Sequence, residues 1–339
     1  MLCGAIKFYG GVELLEHVRV AFGTGVVLGL WRGQLAVAPT TAHLLTCFEG
    51  RCSANCKFCP QARGSTADLK MLSRVIWPRF ELKKILVGLK ENSNEFERVC
   101  IQAVNYPEVV DDLCELVGGV KKVCGLPISV SCQPLKKEGI ERLAAAGAER
   151  VCVALDAATP ELFELIKGGG SDYRWEGHMK ALEDARSIFG NRTSTHLIIG
   201  LGETEREAVK TIQLLHDWGI TVALFAFMPI RGTPLAKEKQ PDVVSYRRVQ
   251  LARFLIVNNL SRAERMRFES GQITGFGVGL GVLNRTVDSG EPFRTSGCPG
   301  CNRPFYNESP RGPIYNYPRK PTRNEIAAMG AELGIMISV

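Results

Sequence analysis

The strongest constraint on this chain is a regular alternation of short apolar runs with longer segments of helical spacing. Six runs have the composition of buried strands: 42–48, 99–104, 128–132, 150–155, 195–199 and 222–227. Helical spacing is found over 69–89, 109–120, 137–146, 161–167, 175–189, 205–218 and 245–258. Strands that alternate with helices predict an α/β fold with a parallel sheet and right-handed crossovers.

Two weaker runs, 266–270 and 273–278, raise the number of candidate strands to eight. Eight strands predict a (β/α)8 TIM-type barrel with its chemistry at the C-terminal ends of the strands. We expect an N-terminal extension over 1–40, with a helix over 12–22 and strands within 26–37. The barrel is expected over 41–288, and a C-terminal tail with a CxxC pair and a final helix (323–333) over 289–339.

Composition narrows the class of protein. The 339 residues carry a net charge of +7, which is spread along the chain and does not predict a nucleic-acid partner. The start lacks a secretory pattern, and the apolar stretch 20–31 is interrupted by glycines, so we expect a cytoplasmic protein with no membrane segment. In that compartment the twelve cysteines are expected to be reduced thiols, metal ligands or core residues.

Three cysteines follow the first predicted barrel strand with CxxxCxxC spacing: Cys52, Cys56 and Cys59. Three thiolates on one loop suit an iron–sulfur cubane, and because a cubane takes four ligands, one iron stays open to a small molecule. Zinc sites usually have paired CxxC units instead, and buried core thiols would not cluster on a loop flanked by glycine. The spacing therefore predicts a [4Fe–4S] cluster with an open coordination position.

This loop resembles the mark of the radical S-adenosylmethionine (SAM) superfamily, and its surroundings resemble biotin synthase and its relatives. The similar pieces are Leu44-Leu45-Thr46, Gly50, Pro60-Gln61, Leu155-Asp156, Gly200 to Thr204 and Gly232 to Leu235. The resemblance implies that the open iron binds SAM and yields a 5′-deoxyadenosyl radical. It also implies that Phe58 faces the adenine, Asp156 the ribose, and the turn of Gly200, Gly202 and Glu203 the nucleoside.

Biotin synthases hold a second cluster by three cysteines and an arginine. Cys100, Cys132 and Arg267 match three of those four positions, but Ser194 stands at the third cysteine. Ala154 replaces an asparagine that faces the substrate in that family. These departures put dethiobiotin in doubt as the substrate.

The tail pair Cys298 and Cys301 predicts a metal-binding turn that holds either zinc or an auxiliary [4Fe–4S] cluster. Cys100 and Cys132 are the first candidates for its further ligands, followed by Cys47 and Cys3. The remaining residues are assigned mainly to packing: Cys114, Cys124, Cys152, Tyr306, Tyr315, Tyr317, and His17, His178 and His216 on helices. Among the histidines, His196 near the end of its strand is the one selected for testing.

A biotin-synthase-like chain with a tail CxxC resembles one component of the two-protein lipoyl synthases. The resemblance implies sulfur insertion into an octanoyl chain on a protein lysine. Its implied partners are an octanoylated or thiolated lipoyl-carrier protein, a paralogous radical SAM protein and an electron donor such as ferredoxin. The alternatives are a biotin synthase, another radical SAM enzyme with an auxiliary cluster, and a non-catalytic protein that carries clusters.

Overall fold

A computed structural model describes residues 15–335, which are organised around one eight-stranded, mostly parallel sheet. Two further hairpins are separate from it. The strands are β1 (His17–Val20), β2 (Thr41–Thr46), β3 (Met71–Leu72), β4 (Val75–Ile76), β5 (Arg79–Glu81), β6 (Arg98–Gln102), β7 (Ile128–Cys132), β8 (Arg150–Val153), β9 (Thr193–Ile199), β10 (Thr221–Ala226), β11 (Arg267–Glu269) and β12 (Gln272–Gly275).

The helices pack outside the sheet, and those that connect the parallel strands follow the predicted order. They are α1 (Phe22–Val27), α2 (Leu82–Glu91), α3 (Val109–Val123), α4 (Lys137–Ala146), α5 (Pro160–Phe163), α6 (Trp175–Phe189), α7 (Glu205–Asp217), α8 (Val243–Val257), α9 (Leu280–Asp288) and α10 (Arg323–Glu332). A π-helical turn, Glu164–Gly168, continues α5. No helix within 15–335 is both long enough and apolar enough to cross a membrane.

The α/β fold class is confirmed. The sheet order is β10-β9-β8-β7-β6-β2-β1-β5, and its six parallel strands correspond to the first six strands that the apolar runs predict. All six residues of β2 are buried, as expected for a parallel strand covered on both faces. The arrangement is consistent with a (β/α)8-like barrel.

The predicted seventh and eighth barrel strands are wrong. β11 and β12 pair only with each other, as an antiparallel hairpin whose turn contains Gly271. β1 and β5 instead complete the eight-stranded sheet, and both pairs made by β1 are antiparallel. The residues of β11 are exposed or half-buried, whereas a central strand of a parallel sheet is buried on both faces.

Three local predictions before residue 90 also fail. The expected helix 12–22 is a strand over His17–Val20, because Val18 and Val20 alternate with more polar residues, and its first residues lie outside the described part. His17 is therefore on a strand. Helix α1 occupies Phe22–Val27, where we expected the first of the strands within 26–37. The helix expected over 69–89 begins only at Leu82, because Pro78 interrupts helical hydrogen bonding and three short strands precede it.

The tail segment 296–303 closes the N-terminal end of the sheet. Thr40, just before β2, donates from Oγ1 to the carbonyl of Gly300 at 2.6 Å, and its N–H donates to Asn302 Oδ1 at 3.0 Å. Arg98, the first residue of β6, donates to the carbonyl of Pro299 at 2.9 Å. On the other side, the N–H of Leu224 in β10 donates to Ser296 Oγ at 2.9 Å. The tail thus spans from β10 to the start of β2.

Gly232 clamps the cysteine loop at the opposite, C-terminal end. Its φ is +90°, and its carbonyl accepts the N–H of Thr66 at 2.8 Å. A Cβ at this position would lie 2.5 Å from the backbone N of Ala67. Only glycine permits this close contact between two backbones in a left-handed conformation.

Replacing Gly232 with alanine is therefore expected to lower the free energy of unfolding by at least about 1–2 kcal/mol, the usual cost of a left-handed side-chain-bearing residue. The clash with Ala67 adds to that cost. Gly118→Ala is the matched control, since nothing lies within 4 Å of its Cβ position inside α3. The control should be neutral or stabilising by up to about 1 kcal/mol. Denaturant unfolding of both variants measures the difference, and equal stabilities would refute the clamp.

Candidate functional site

The interior of the sheet encloses a cavity of about 220 Å³ that residues from both ends reach. Cys56, Phe58 and Cys59 line it from the loop after β2, and Cys298 and Cys301 line it from the tail. The wall between them comes from inward-facing residues of the parallel strands. The eleven described cysteines are all free thiols, so none is withdrawn into a disulfide.

The loop of Cys52, Cys56 and Cys59 is folded by its own backbone. The N–H of Cys52 donates to the carbonyl of Gln61 at 2.9 Å, and the N–H of Cys59 donates to the carbonyl of Cys56 at 3.0 Å. Cys52 Sγ accepts the N–H of Asn105 at 3.2 Å. Backbone donors of this kind stabilise sulfur that carries negative charge. The loop is ordered by contacts that leave Cys56 and Cys59 facing the cavity.

The chemistry of this donor set fits an iron–sulfur cluster. Burial raises the pKa of Cys59 to about 12 and also raises that of Cys56, so these thiols ionise only beside a strong positive charge. Bound iron supplies that charge. Among the described side chains, no three of His, Cys, Asp or Glu stand close enough together to hold a single metal ion. In a cubane, by contrast, each thiolate binds a different iron.

The predicted SAM-binding residues lie on the cysteine loop and just after the C-terminal ends of β8 and β9. Phe58 packs against Ile166, Leu201 and Phe227, which form a small apolar cluster there. Gly200 and Gly202 have φ of +103° and +129°. A Cβ on Gly200 would lie 2.8 Å from the side chain of Pro241, so only glycine allows Pro241 to pack this closely. Glu203 accepts the N–H of Gly200 at 2.6 Å and that of Leu201 at 3.1 Å, and it therefore fixes the turn.

Asp156 is the centre of a buried charge network. Its Oδ2 lies 2.7 Å from Lys167 Nζ, and its Oδ1 lies 2.6 Å from His196 Nε2. Its φ is +68°, a conformation that aspartate tolerates better than most residues. A carboxylate offers about four lone-pair positions, so two partners leave capacity for sugar hydroxyls. Sequence reasoning missed Lys167, which is fully buried on the π-helical turn.

The pKa values of this network follow from its geometry. Burial by itself raises the pKa of Asp156, but Lys167 and His196 outweigh it and hold the pKa below the usual range. Burial lowers the pKa of His196, but the Asp156 carboxylate raises it to about 9. Cys152 Sγ lies 3.6 Å from His196 Nδ1, and although burial opposes it, this histidine lowers the pKa of the thiol. Cys152 was assigned to the core, but it lines the cavity.

The tail cysteines meet the strand wall near the N-terminal end. Cys298 Sγ accepts a hydrogen bond from Ser129 Oγ at 3.6 Å, and Cys301 Sγ lies 3.9 Å from His43 Nε2. Burial and then the neighbouring Cys298, Cys301 and Cys152 raise the pKa of Cys100. Cys100, Cys298 and Cys301 are therefore brought together, as the sequence suggested for Cys100.

Other candidates are placed differently. Cys132 lines the cavity, but it ends β7, three residues or roughly 10 Å beyond Ser129. Arg267 is exposed on β11 and does not line the cavity, so it is no cluster ligand, and the arginine that reaches the cavity is Arg303. Ser194 Oγ donates a hydrogen bond to the carbonyl of Val151. Cys47 lies outside the cavity, and Cys3 lies outside the described residues. Tyr315 and Tyr317 are buried packing residues, whereas Tyr306 is buried and also lines the cavity beside His43, with 5.0 Å between the ring centroids.

Removing the charge of Asp156 is expected to destabilise the protein. Asp156→Asn keeps the shape but leaves Lys167 as an unpaired buried cation, which costs about 3–5 kcal/mol of unfolding free energy. The control is Asp217→Asn, which breaks the exposed pair with Arg262 and should cost about 1 kcal/mol or less. Denaturant unfolding compares them.

The network also predicts a pH dependence. The folded pKa of His196, about 9, lies above its ordinary value of 6.5, so its stabilisation is complete below pH 6.5 and is lost as the pH rises through 9. This part of the decline should vanish in Asp156→Asn. An identical pH profile in the variant would contradict the assignment.

The comparisons with known proteins agree with this geometry. The family model described as the Radical SAM superfamily matches residues 48–215. Biotin synthase of Rhizobium rhizogenes is 31% identical over 204 residues, which cover 58% of this chain and 59% of that protein. For biotin synthase of Hydrogenobaculum sp., the values are 26% over 195 residues and 56% of each chain. The match thus spans less than two thirds of these curated relatives.

Solved structures support the fold alone. The FeFe-hydrogenase maturase HydG from Carboxydothermus hydrogenoformans superposes with a TM-score of 0.52 at 17% identity, over 65% of this chain and 51% of that chain. The region matched by the family model includes Cys56, Phe58, Cys59 and Asp156, which line the cavity, and the Gly200 turn, which follows β9. Residues 48–215 are therefore similar to the radical SAM superfamily, and the chain is similar to biotin synthases.

Proposed function

We propose that this protein is a radical SAM sulfurtransferase that inserts sulfur into an unactivated C–H bond of an octanoyl chain carried on a protein lysine. The observation that carries the proposal is that two sets of thiols line one cavity from opposite ends. Cys56 and Cys59 belong to the loop at the C-terminal end of β2, and Cys298 and Cys301 enter from the N-terminal end beside Cys100.

At the first end, Cys52, Cys56 and Cys59 would hold a [4Fe–4S] cluster. When bound, this cluster and SAM supply a carbon-centred radical that removes hydrogen from an unactivated C–H bond, which acid–base groups cannot do. Phe58 and the apolar cluster around it offer a surface for the adenine, and Asp156 offers carboxylate oxygens to the ribose. Lys167 and His196 hold Asp156 in place before SAM arrives.

At the second end, Cys100, Cys298 and Cys301 would hold an auxiliary [4Fe–4S] cluster that, when bound, supplies the sulfur atom. Zinc remains the alternative occupant of the tail pair. The placement favours the cluster, because these thiols face the cavity and a structural zinc site has no need of access to a substrate. Arg98 and Thr40 keep the tail turn seated at the base of the cavity.

Substrate choice follows from the wall between the two ends. Ala154 and Phe225 present apolar surface there, which suits an acyl chain. Ser194 has a hydroxyl in place of a third barrel thiol, and this hydroxyl donates to the carbonyl of Val151. A net charge of +7 favours an acidic carrier protein. We also propose a paralogous radical SAM partner for the other sulfur insertion and an electron donor such as ferredoxin.

The second candidate is a biotin synthase, and the similarity to curated biotin synthases favours it. That activity would use dethiobiotin, a small free acid that needs an anchor for its own carboxylate. The substitutions at Ser194 and Ala154 weigh against it. The two candidates differ in their product and can be separated by one experiment.

The loop cysteines give the first functional prediction. Changing Cys52, Cys56 and Cys59 together to alanine should abolish reductive cleavage of SAM to 5′-deoxyadenosine, because no ligand set remains for the cluster with the open iron. Chromatography of reactions with a strong reductant measures the product. Cys114→Ala, on α3 and outside the cavity, is the control and should retain cleavage. Continued 5′-deoxyadenosine formation by the triple variant would remove the basis of the proposal.

The tail pair gives a prediction on product. After anaerobic turnover, mass spectrometry should show sulfur added to an octanoyl-lysyl peptide or to its once-thiolated form, and no biotin from dethiobiotin. Cys298→Ala/Cys301→Ala should lose about half of about eight irons, still cleave SAM, and add no sulfur, because each cubane contains four irons. Stoichiometric zinc with unchanged iron would refute the auxiliary cluster. Biotin formation with an untouched peptide would assign the protein to the biotin synthases.

A further inference from the structure

The auxiliary thiols lie beside one row of residues across three neighbouring strands. His43 of β2 is in register with Cys100 of β6, and Cys100 is in register with Ser129 of β7. Parallel neighbours are about 4.8 Å apart, so these three inward-facing side chains form one level of the cavity wall.

The tail turn is matched to this row. Cys301 lies opposite His43, with 3.9 Å between Sγ and Nε2, and Cys298 lies opposite Ser129, with 3.6 Å between Sγ and Oγ. Cys100 stands between the two contacts. Three thiols and one imidazole therefore surround the same space, and the imidazole comes from the strand that leads directly into the Cys52 loop.

His43 and Ser129 differ in their hydrogen-bond partners. The Ser129 hydroxyl accepts from Arg98 Nη1 and donates to Cys298, so its one O–H donor is already in use. His43 is 1% exposed, and within residues 15–335 its Nδ1 has no hydrogen-bond partner. Its Nε2 has only the long contact with sulfur. A buried polar ring left in this state costs about 1–3 kcal/mol, a cost that coordination of a metal would offset.

The other thiols on the wall are less well placed. Cys152 is in register with Ser131, two residues or roughly 7 Å beyond the level of Ser129. Its sulfur contacts His196, which belongs to the Asp156 network. Cys132 lies one residue further along β7. The level occupied by the tail thiols contains Cys100 and His43.

We propose that His43 is the fourth ligand of the auxiliary cluster, which it holds through Nε2 together with Cys100, Cys298 and Cys301. This inference rests on the auxiliary cluster of the proposed function. A neutral imidazole in place of a thiolate leaves the cluster less negative by one charge. Replacing cysteine with histidine ligands raises the reduction potential of iron–sulfur centres. The auxiliary cluster is therefore expected to be easier to reduce than its counterpart with four thiolates.

Pulsed electron paramagnetic resonance tests the ligand directly. In the Cys52→Ala/Cys56→Ala/Cys59→Ala background only the auxiliary cluster remains, so bound SAM cannot contribute a nitrogen signal. The reduced cluster should show a ¹⁴N coupling that changes to a ¹⁵N coupling when histidine is labelled. Wild-type protein without SAM provides the same measurement if the triple variant does not fold.

Variants at two histidines make the assignment specific. His43→Cys should keep about four irons in the triple-variant background, lose the nitrogen coupling and lower the reduction potential. His178→Gln is the matched control, because His178 is also fully buried on a helix outside the cavity and has a partnerless Nε2 among the described residues. It should leave the spectrum unchanged.

Two outcomes overturn the inference in distinguishable ways. About four irons in the triple variant without a histidine coupling would refute His43 and leave the auxiliary cluster intact. Wild-type protein with only about four irons, and a triple variant with none, would remove the auxiliary cluster and the proposed function with it.

Discussion

Docking of the tail segment 296–303 into the N-terminal end of the sheet is the interaction on which the site depends. The sheet order leaves β10 unpaired with the strands at the other end of the sheet, and the tail crosses the base of the sheet by bonding to Leu224 of the edge strand β10 and to Thr40, just before β2. Arg98 is buried and connects the tail carbonyl of Pro299 to Ser129 and Glu149. Without this docking, Cys298 and Cys301 would be separated from Cys100, and the cavity would be open at its base.

The fold could be predicted wherever local signals were strong. The six parallel strands are short apolar runs, and helices such as α4 and α6 have clear amphipathic spacing, so both kinds of element were found at nearly their observed bounds. The edge of the sheet could not be predicted, because β1 and β5 pair antiparallel through contacts distant in sequence. Weak runs at β11 and β12 supplied the wrong two strands, since a hairpin and a barrel strand have the same local composition.

The residues of the site also fall into those that the sequence predicts and those that it does not. Spacing alone identified the Cys52 loop and the Cys298 pair, because ligand motifs are local in sequence. His43, Cys152 and Lys167 carry no motif, and their places follow from register between strands and from the π-helical turn after α5. Asp156 was identified by resemblance to a family, but its partners Lys167 and His196 appear only once β8, β9 and that turn are assembled.

The separation in sequence between the tail and its docking site has a consequence for folding. Thr40 and Gly300 are 260 residues apart, so the hydrogen bond between them closes a very long loop. Contacts between such distant segments form slowly, because the entropy of loop closure must be overcome before the contact contributes stability. Cys52 and Gln61, by contrast, bond across nine residues. The base of the cavity is therefore expected to be the last part of the site to form.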